Sequence, residues 1–279
     1  MPTYTQYKDS TDSTRTPSVS IWADCPTLQI AHDPSLGYHF YDDFRHFAPL
    51  TIALAANDKY TYAADTGVLV ADSTATADGG HIFMDDLDTD NDAGFLGHGT
   101  YAPFARLSSS DKMWFEARYK RLTVADNDGG LFLGLFETTV VPVSGTTLTD
   151  DASVLDASED FVGWRILAAD GDALEPIYQE GGNTIQAVGT GSTNAVGSGN
   201  DRAIVADTFI KLGMKWDGTR ITYYVNGAVH AYYDVTSSDS WPDVNHLAMG
   251  WFESVNSTAD LQRTLDWWRV ASTGGNHVT

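Results

Sequence analysis

The chain has 279 residues, with 38 acidic against 16 basic side chains, a formal net charge of −22 and a single cysteine. That length buries a core without covalent staples, and one cysteine excludes an internal disulfide framework, which fits synthesis under reducing conditions. The acidic excess excludes nucleic acid and anionic membranes as partners, because phosphate binding draws on clustered Lys and Arg.

In chain order, residues 1–36 come first. They are rich in Ser, Thr, Asp and Pro and show little periodicity, so they read as an extended N-terminal arm. Their opening lacks the apolar stretch and cleavage pattern of a signal peptide, and no apolar run reaches the roughly 18 residues of a membrane span. One domain, residues 37–279, is expected to follow, beginning at "GYHFYDDF". In "MWFEARYK", Met113, Phe115, Ala117 and Tyr119 alternate with Trp114, Glu116, Arg118 and Lys120. This is the pattern of a strand with one apolar and one largely charged face. "LFLGLF", Leu131 to Phe136, is apolar on both faces and should lie between layers, with Gly134 permitting close packing. Glu137 ends it alone, without a partner at period two, and reads as a solvated carboxylate. "DFVGWRILA" and "FIKLGMKW" are further strands. A Gly/Ser/Thr/Asn tract from Gly181 to Asn200 reads as a long, mobile loop or a strand with flexible flanks. Asp217-Gly218 and Asn226-Gly227 are turn dipeptides between apolar strands, predicting three consecutive antiparallel strands. "HLAMGWF" and "LDWWRVAST" close a series whose count of short strands implies an all-β sandwich or barrel.

Candidate sites are few. Asp86, Asp88, Asp90 and Asp92 recur at every second residue, the sort of loop from which calcium takes oxygen ligands. The EF-hand pattern fails there: Asn91 stands where its glycine belongs and Gly97 where its bidentate glutamate belongs. A solvated acidic turn is the favoured reading, with calcium the one candidate cofactor. The eight histidines form no zinc-like cluster. Trp241, Trp251, Tyr224 and Tyr233 are the candidate ligand or interface aromatics, since about half the rings on alternating strands must face outward.

Taken together, "WFEARYK", "LFLGLF", "KWDGTRITYYVNGAVH" and the terminal "LDWWRV" resemble the concanavalin A-like lectin/glucanase superfamily, including laminin-G-like modules and laminarinase-type hydrolases. The resemblance covers roughly Phe40 to Ser272 and implies a two-sheet antiparallel β-sandwich, the concanavalin A-like jelly roll. The family's hydrolases carry Glu-x-Asp-x-x-Glu on the strand after the buried one, because nucleophile and acid must lie close together. Here that region, "DASVLDASEDFVGWRI", offers Asp156, Glu159 and Asp160 without that spacing, so no enzyme is expected. A narrower resemblance is to bacteriophage structural proteins of the same fold, carried by "FYDDFRHF", "DTDNDAGFLGHGTYAPF" and "DKMWFEARYK". It implies a non-enzymatic virion protein decorating the capsid exterior. Its partners would be the major capsid protein and neighbouring copies of itself, with a homotrimer suited to symmetry axes. The alternative is a lectin-like module, borne on tail or capsid, that binds surface glycans, followed by a divergent glycoside hydrolase.

Overall fold

The computed structural model describes residues 15–44, 55–56, 60–64, 69–72, 80–85, 93–98, 105–126, 128–137, 158–188, 202–236, 240–254 and 262–274. Two short helices, α1 (Val19–Trp22) and α2 (Thr27–His32), and a 3-10 turn (Pro34–Leu36) precede the first strand. The strands that follow are β1 (Gly37–Asp42), β2 (Ala55–Ala56), β3 (Tyr60–Ala64), β4 (Leu69–Asp72), β5 (Ile82–Asp85) and β6 (Ala93–His98). Next come β7 (Lys112–Arg121), β8 (Leu131–Glu137), β9 (Phe161–Ile166), β10 (Ala173–Gln179), β11 (Gln186–Ala187) and β12 (Arg202–Ala203). The chain closes with β13 (Ile210–Trp216), β14 (Arg220–Val225), β15 (Ala228–Asp234), β16 (Leu247–Ser254) and β17 (Arg263–Thr273).

Every strand pair is antiparallel, and the strands form two sheets. The first runs β15-β14-β13-β7-β17-β5-β4, with β1 also on β17; the second runs β11-β10-β9-β8-β16-β6-β3-β2, with β12 also on β10. The expected two-sheet sandwich is what forms. Period-two alternation explains the layering: Phe115, Ala117 and Tyr119 of β7 and Leu212, Met214 and Trp216 of β13 point into one continuous core. Trp164 of β9 meets them from the other sheet, its indole edge-on to Tyr223 with centroids 5.5 Å apart. The β13–β14–β15 meander has the predicted turns. Asn226 and Gly227 take φ of 50° and 79° between β14 and β15, and Gly218 takes 101° between β13 and β14.

Two readings need correction. Residues 15–36 are not extended: they contain α1, α2 and the 3-10 turn. Nor is the charged face of β7 solvated. Glu116 is 0% and Arg118 3% exposed, because residues 15–25 lie across that outer face of the first sheet. Ile21 packs there with Trp114, Tyr224 and Ala271 in a small cluster separate from the main core.

Candidate functional site

Three arrangements of side chains bear on function. The outer face of the second sheet is where a sugar-processing groove would need its carboxylates. Register puts Gly97, Gly250, Gly134 and Gly163 side by side across β6, β16, β8 and β9. The next row on the same face is Phe95, Phe252, Phe132 and Arg165. Phe136 and Phe161 pair on the other side of the glycines. All five phenyl rings are 2% exposed or less, and they meet edge-to-face, as Phe136 and Phe252 do with centroids 5.3 Å apart. The rings lie over the glycines. A Cβ on Gly250 would come within 2.7 Å of Phe136 and 2.8 Å of Phe252, and one on Gly163 within 2.8 Å of Phe132. The strand following the buried one therefore presents Phe161, Gly163 and Arg165 outward, and Arg165 is ion-paired to Glu175 of β10. Among the described residues of these four strands, no carboxylate faces outward.

A carboxylate group does assemble at one end of this sheet, and it corrects the reading of Glu137 as solitary. Antiparallel pairing of Phe136 with Phe161 brings the two ends of the β8–β9 connection together. Glu137 Oε2 accepts from the Asp160 backbone N–H at 3.2 Å. Asp160 spends its own oxygens on the Gly181 N–H at 2.7 Å and the Asn245 amide at 3.1 Å. Burial, then the nearby Asp160 and Glu159 carboxylates, push Glu137 above its ordinary pKa, and burial likewise raises Asp160. The group ties three connections together. Sequence spacing alone missed it, although recognising β8 and β9 as a consecutive antiparallel pair would have placed residues 137 and 160 as neighbours.

Two buried ionic networks complete the picture. Inside the sandwich, Glu253 of β16 is 0% exposed and accepts from Tyr119 at 2.6 Å and Trp251 at 2.8 Å on one oxygen. Its other oxygen faces Arg263 at 3.0 Å and Arg121 at 3.3 Å. The arginines send further N–H groups to backbone carbonyls, including Gly129 at 2.8 Å and Asp128 at 2.6 Å. On the outer face of the first sheet, Asp266 is the extra residue where the β17–β7 register shifts between Leu265 and Trp267. It receives Arg15 at 2.7 Å, Arg118 at 2.5 Å and His81 at 3.1 Å. Burial alone would raise the Asp266 carboxyl, but these donors outweigh it and hold the group below its ordinary pKa. Beside it, Glu116 Oε2 accepts from the Ser18 N–H at 2.9 Å and the Trp22 indole at 2.8 Å. Asp24 meets the Trp114 indole at 3.0 Å and Lys215 at 2.6 Å. Residues 15–25 are thus fixed at three carboxylate anchors.

Of the four aromatics expected outside, three are buried and Tyr233 is half-exposed. Trp251 is fully buried against Tyr119 and Glu253. Trp241, 4% exposed, donates to the Leu107 carbonyl at 3.0 Å and stacks on Trp216 with centroids 4.9 Å apart. Tyr224 lies in the small cluster with Ile21, and Tyr233 is half-buried against Tyr178. Trp241 sits in an irregular segment, where no alternation can orient a ring, and pairing with Trp216 draws it inward. Asp86, Asp88, Asp90 and Asp92 lie outside the described residues. Among those described, no three His, Cys, Asp or Glu side chains gather in a way that would hold a metal, and no helix is long and apolar enough to cross a membrane.

No family model matches the sequence and no curated protein is similar to it. Solved structures do match the fold. Lectin II from Ulex europaeus superposes with a TM-score of 0.57 at 12% identity, covering 86% of this chain and 100% of the lectin. A glycoside hydrolase family 16 endo-glucanase from Bacteroides ovatus gives 0.52 at 11% identity, over 83% and 99% of the two chains. A Shewanella oneidensis protein of unknown function gives 0.51 at 11%, over 91% and 96%. Two antiparallel sheets, this strand order and these neighbours establish the fold as the concanavalin A-like jelly roll shared by lectins and family 16 glucanases.

Proposed function

We propose that the protein is a non-enzymatic structural component of a bacteriophage virion that decorates the capsid exterior and contacts the major capsid protein. The observation that carries its non-catalytic character is the outer face of the second sheet. Four strands there present glycines, buried phenyl rings and an ion-paired arginine in place of two opposed carboxylates. A carbohydrate-binding role is the weaker alternative, because Trp241, Trp251 and Tyr224 spend their faces on the protein's own packing. The virion assignment rests on the resemblance of "FYDDFRHF" and "DKMWFEARYK" to phage structural proteins.

Quantitative peptide mass spectrometry of virus particles purified from the source sample tests the assignment. Copy numbers comparable to the shell protein are expected, and absence from particles would overturn it. A reducing-sugar assay on β-glucans tests the other half. Product above a protein-free control would overturn the non-catalytic reading.

A further inference from the structure

We infer that residues 15–25 form an exchangeable strap, able to dock either on their own sheet or on the same face of a second copy, so that two chains join by trading straps. The inference stands apart from the virion assignment, and absence from particles would leave it intact.

The strap joins neither sheet: no residue from 15 to 25 belongs to a strand. Its apolar contacts are confined to the small cluster around Ile21 and Trp114, none of whose members belongs to the main core. It can leave without opening the sandwich. The floor it would vacate joins Glu116 and Asp266, carboxylates that water solvates well, to a small apolar patch of Trp114, Tyr224 and Ala271, which a second copy's Ile21 would cover again. The dock is also specific. Arg15 on Asp266, Ser18 and Trp22 on Glu116, and Asp24 on Trp114 and Lys215 fix register with alternating charge. Every copy carries the same strap and the same dock, which is the condition for a self-complementary exchange.

Reach and surface agree. Residues 26–36 link the strap to β1, and α2 within them buries Ile30 alone. Drawn out at ~3.3–3.6 Å per residue, that link spans about 36–40 Å, enough to cross to a neighbour. Of seven exposed large apolar side chains among the described residues, Val19, Leu28 and Leu36 fall on the strap and link, at 76%, 43% and 48% exposure. Crossed links would give these side chains a partner. At low concentration the intramolecular dock wins, and crowding of copies favours the exchanged form by mass action.

Two full-length variants test this. Gly213→Ala keeps the strap but places a Cβ against the Ile21 side chain, blocking the dock. Arg15→Ala/Trp22→Ala keeps the dock but strips the strap of two anchors. Each alone should be monomeric by light scattering and cleaved by protease within residues 15–36. An equimolar mixture should yield a one-to-one heterodimer. A mixture that stays monomeric overturns the inference, as does a strap that remains protease-resistant in both variants, which would make it a fixed part of the fold. Where Gly213→Ala does not fold, native mass spectrometry decides with wild-type protein in two isotopic forms, mixed, concentrated and warmed below its unfolding transition. Mixed dimers uphold exchange, and strictly monomeric protein overturns it.

Discussion

Replacing Glu253 by Gln keeps the side chain's shape and removes one charge from the centre of the sandwich. The carboxylate receives two neutral donors on one oxygen and two guanidinium groups on the other. An amide offers one acceptor and one donor, so whichever way it turns its NH2 points at existing donors. If the NH2 faces the arginines, the charge-assisted hydrogen bond from Arg121 is lost at about 1.5–3 kcal/mol, together with the ion contact to Arg263. Two buried cations are then left without a counter-charge, and breaking a buried ion pair costs roughly 3–5 kcal/mol. The ion-pair loss sets the scale at about 4 kcal/mol, which for a domain of this size lowers Tm by about 8–16 °C. Urea unfolding followed by tryptophan fluorescence, with linear extrapolation, measures it. The internal control is Asp234→Asn. That residue's pairing with Arg220 is 44% and 43% exposed at the side chains and should contribute little to stability. A loss for Glu253→Gln no larger than the control's would refute the claim that this carboxylate balances the interior arginines.

Three further outcomes are expected. Gly134→Ala places a Cβ 2.5 Å from the Gly163 Cα, a backbone atom that cannot rotate away, and should cost at least about 1–3 kcal/mol by denaturant melt. Trp241→Ala should lose about 3–5 kcal/mol of stability as a core truncation, with glycan-array binding unchanged from wild type; lost glycan affinity would restore a lectin role. Burial pushes the Glu116 carboxyl above its ordinary 4.5. The folded protein therefore keeps a proton that the unfolded chain has released, and stability falls as pH rises from 4.5 through the raised value. Glu116→Gln should flatten that part of the pH–stability curve measured by denaturant midpoint, and an unchanged slope would assign the titration elsewhere.

The strands could be read from the sequence because period two over five or more residues is a strong signal. β7, β13 and β14 carry it, β8 shows instead as a continuous apolar run, and Asp217-Gly218 and Asn226-Gly227 fix the two turns between β13, β14 and β15. What alternation cannot say is what covers the polar face. Glu116 and Arg118 alternate like solvated residues, yet their buried state depends on a segment roughly 100 positions earlier in the chain. The helices α1 and α2 escaped for a related reason. Four and six residues are too few to display a 3.6 period, and each buries a single isoleucine against the sheet. Helices this short owe their stability to tertiary contact rather than propensity. The Glu137–Asp160 contact required knowing which strands pair, which register supplies and spacing does not.

The glycine row carries a consequence for redesign. Because the floor beneath Phe136, Phe252 and Phe132 has no side chains of its own and the rings are buried, cutting one ring back to alanine would leave a cavity walled by the remaining rings. Such a cavity would be apolar, because the peptide groups beneath it are spent on the ladders between β6, β16, β8 and β9, and a dry apolar cavity takes a small apolar guest. The chain at present fills that space with itself, and one substitution would vacate a volume the size of a phenyl ring.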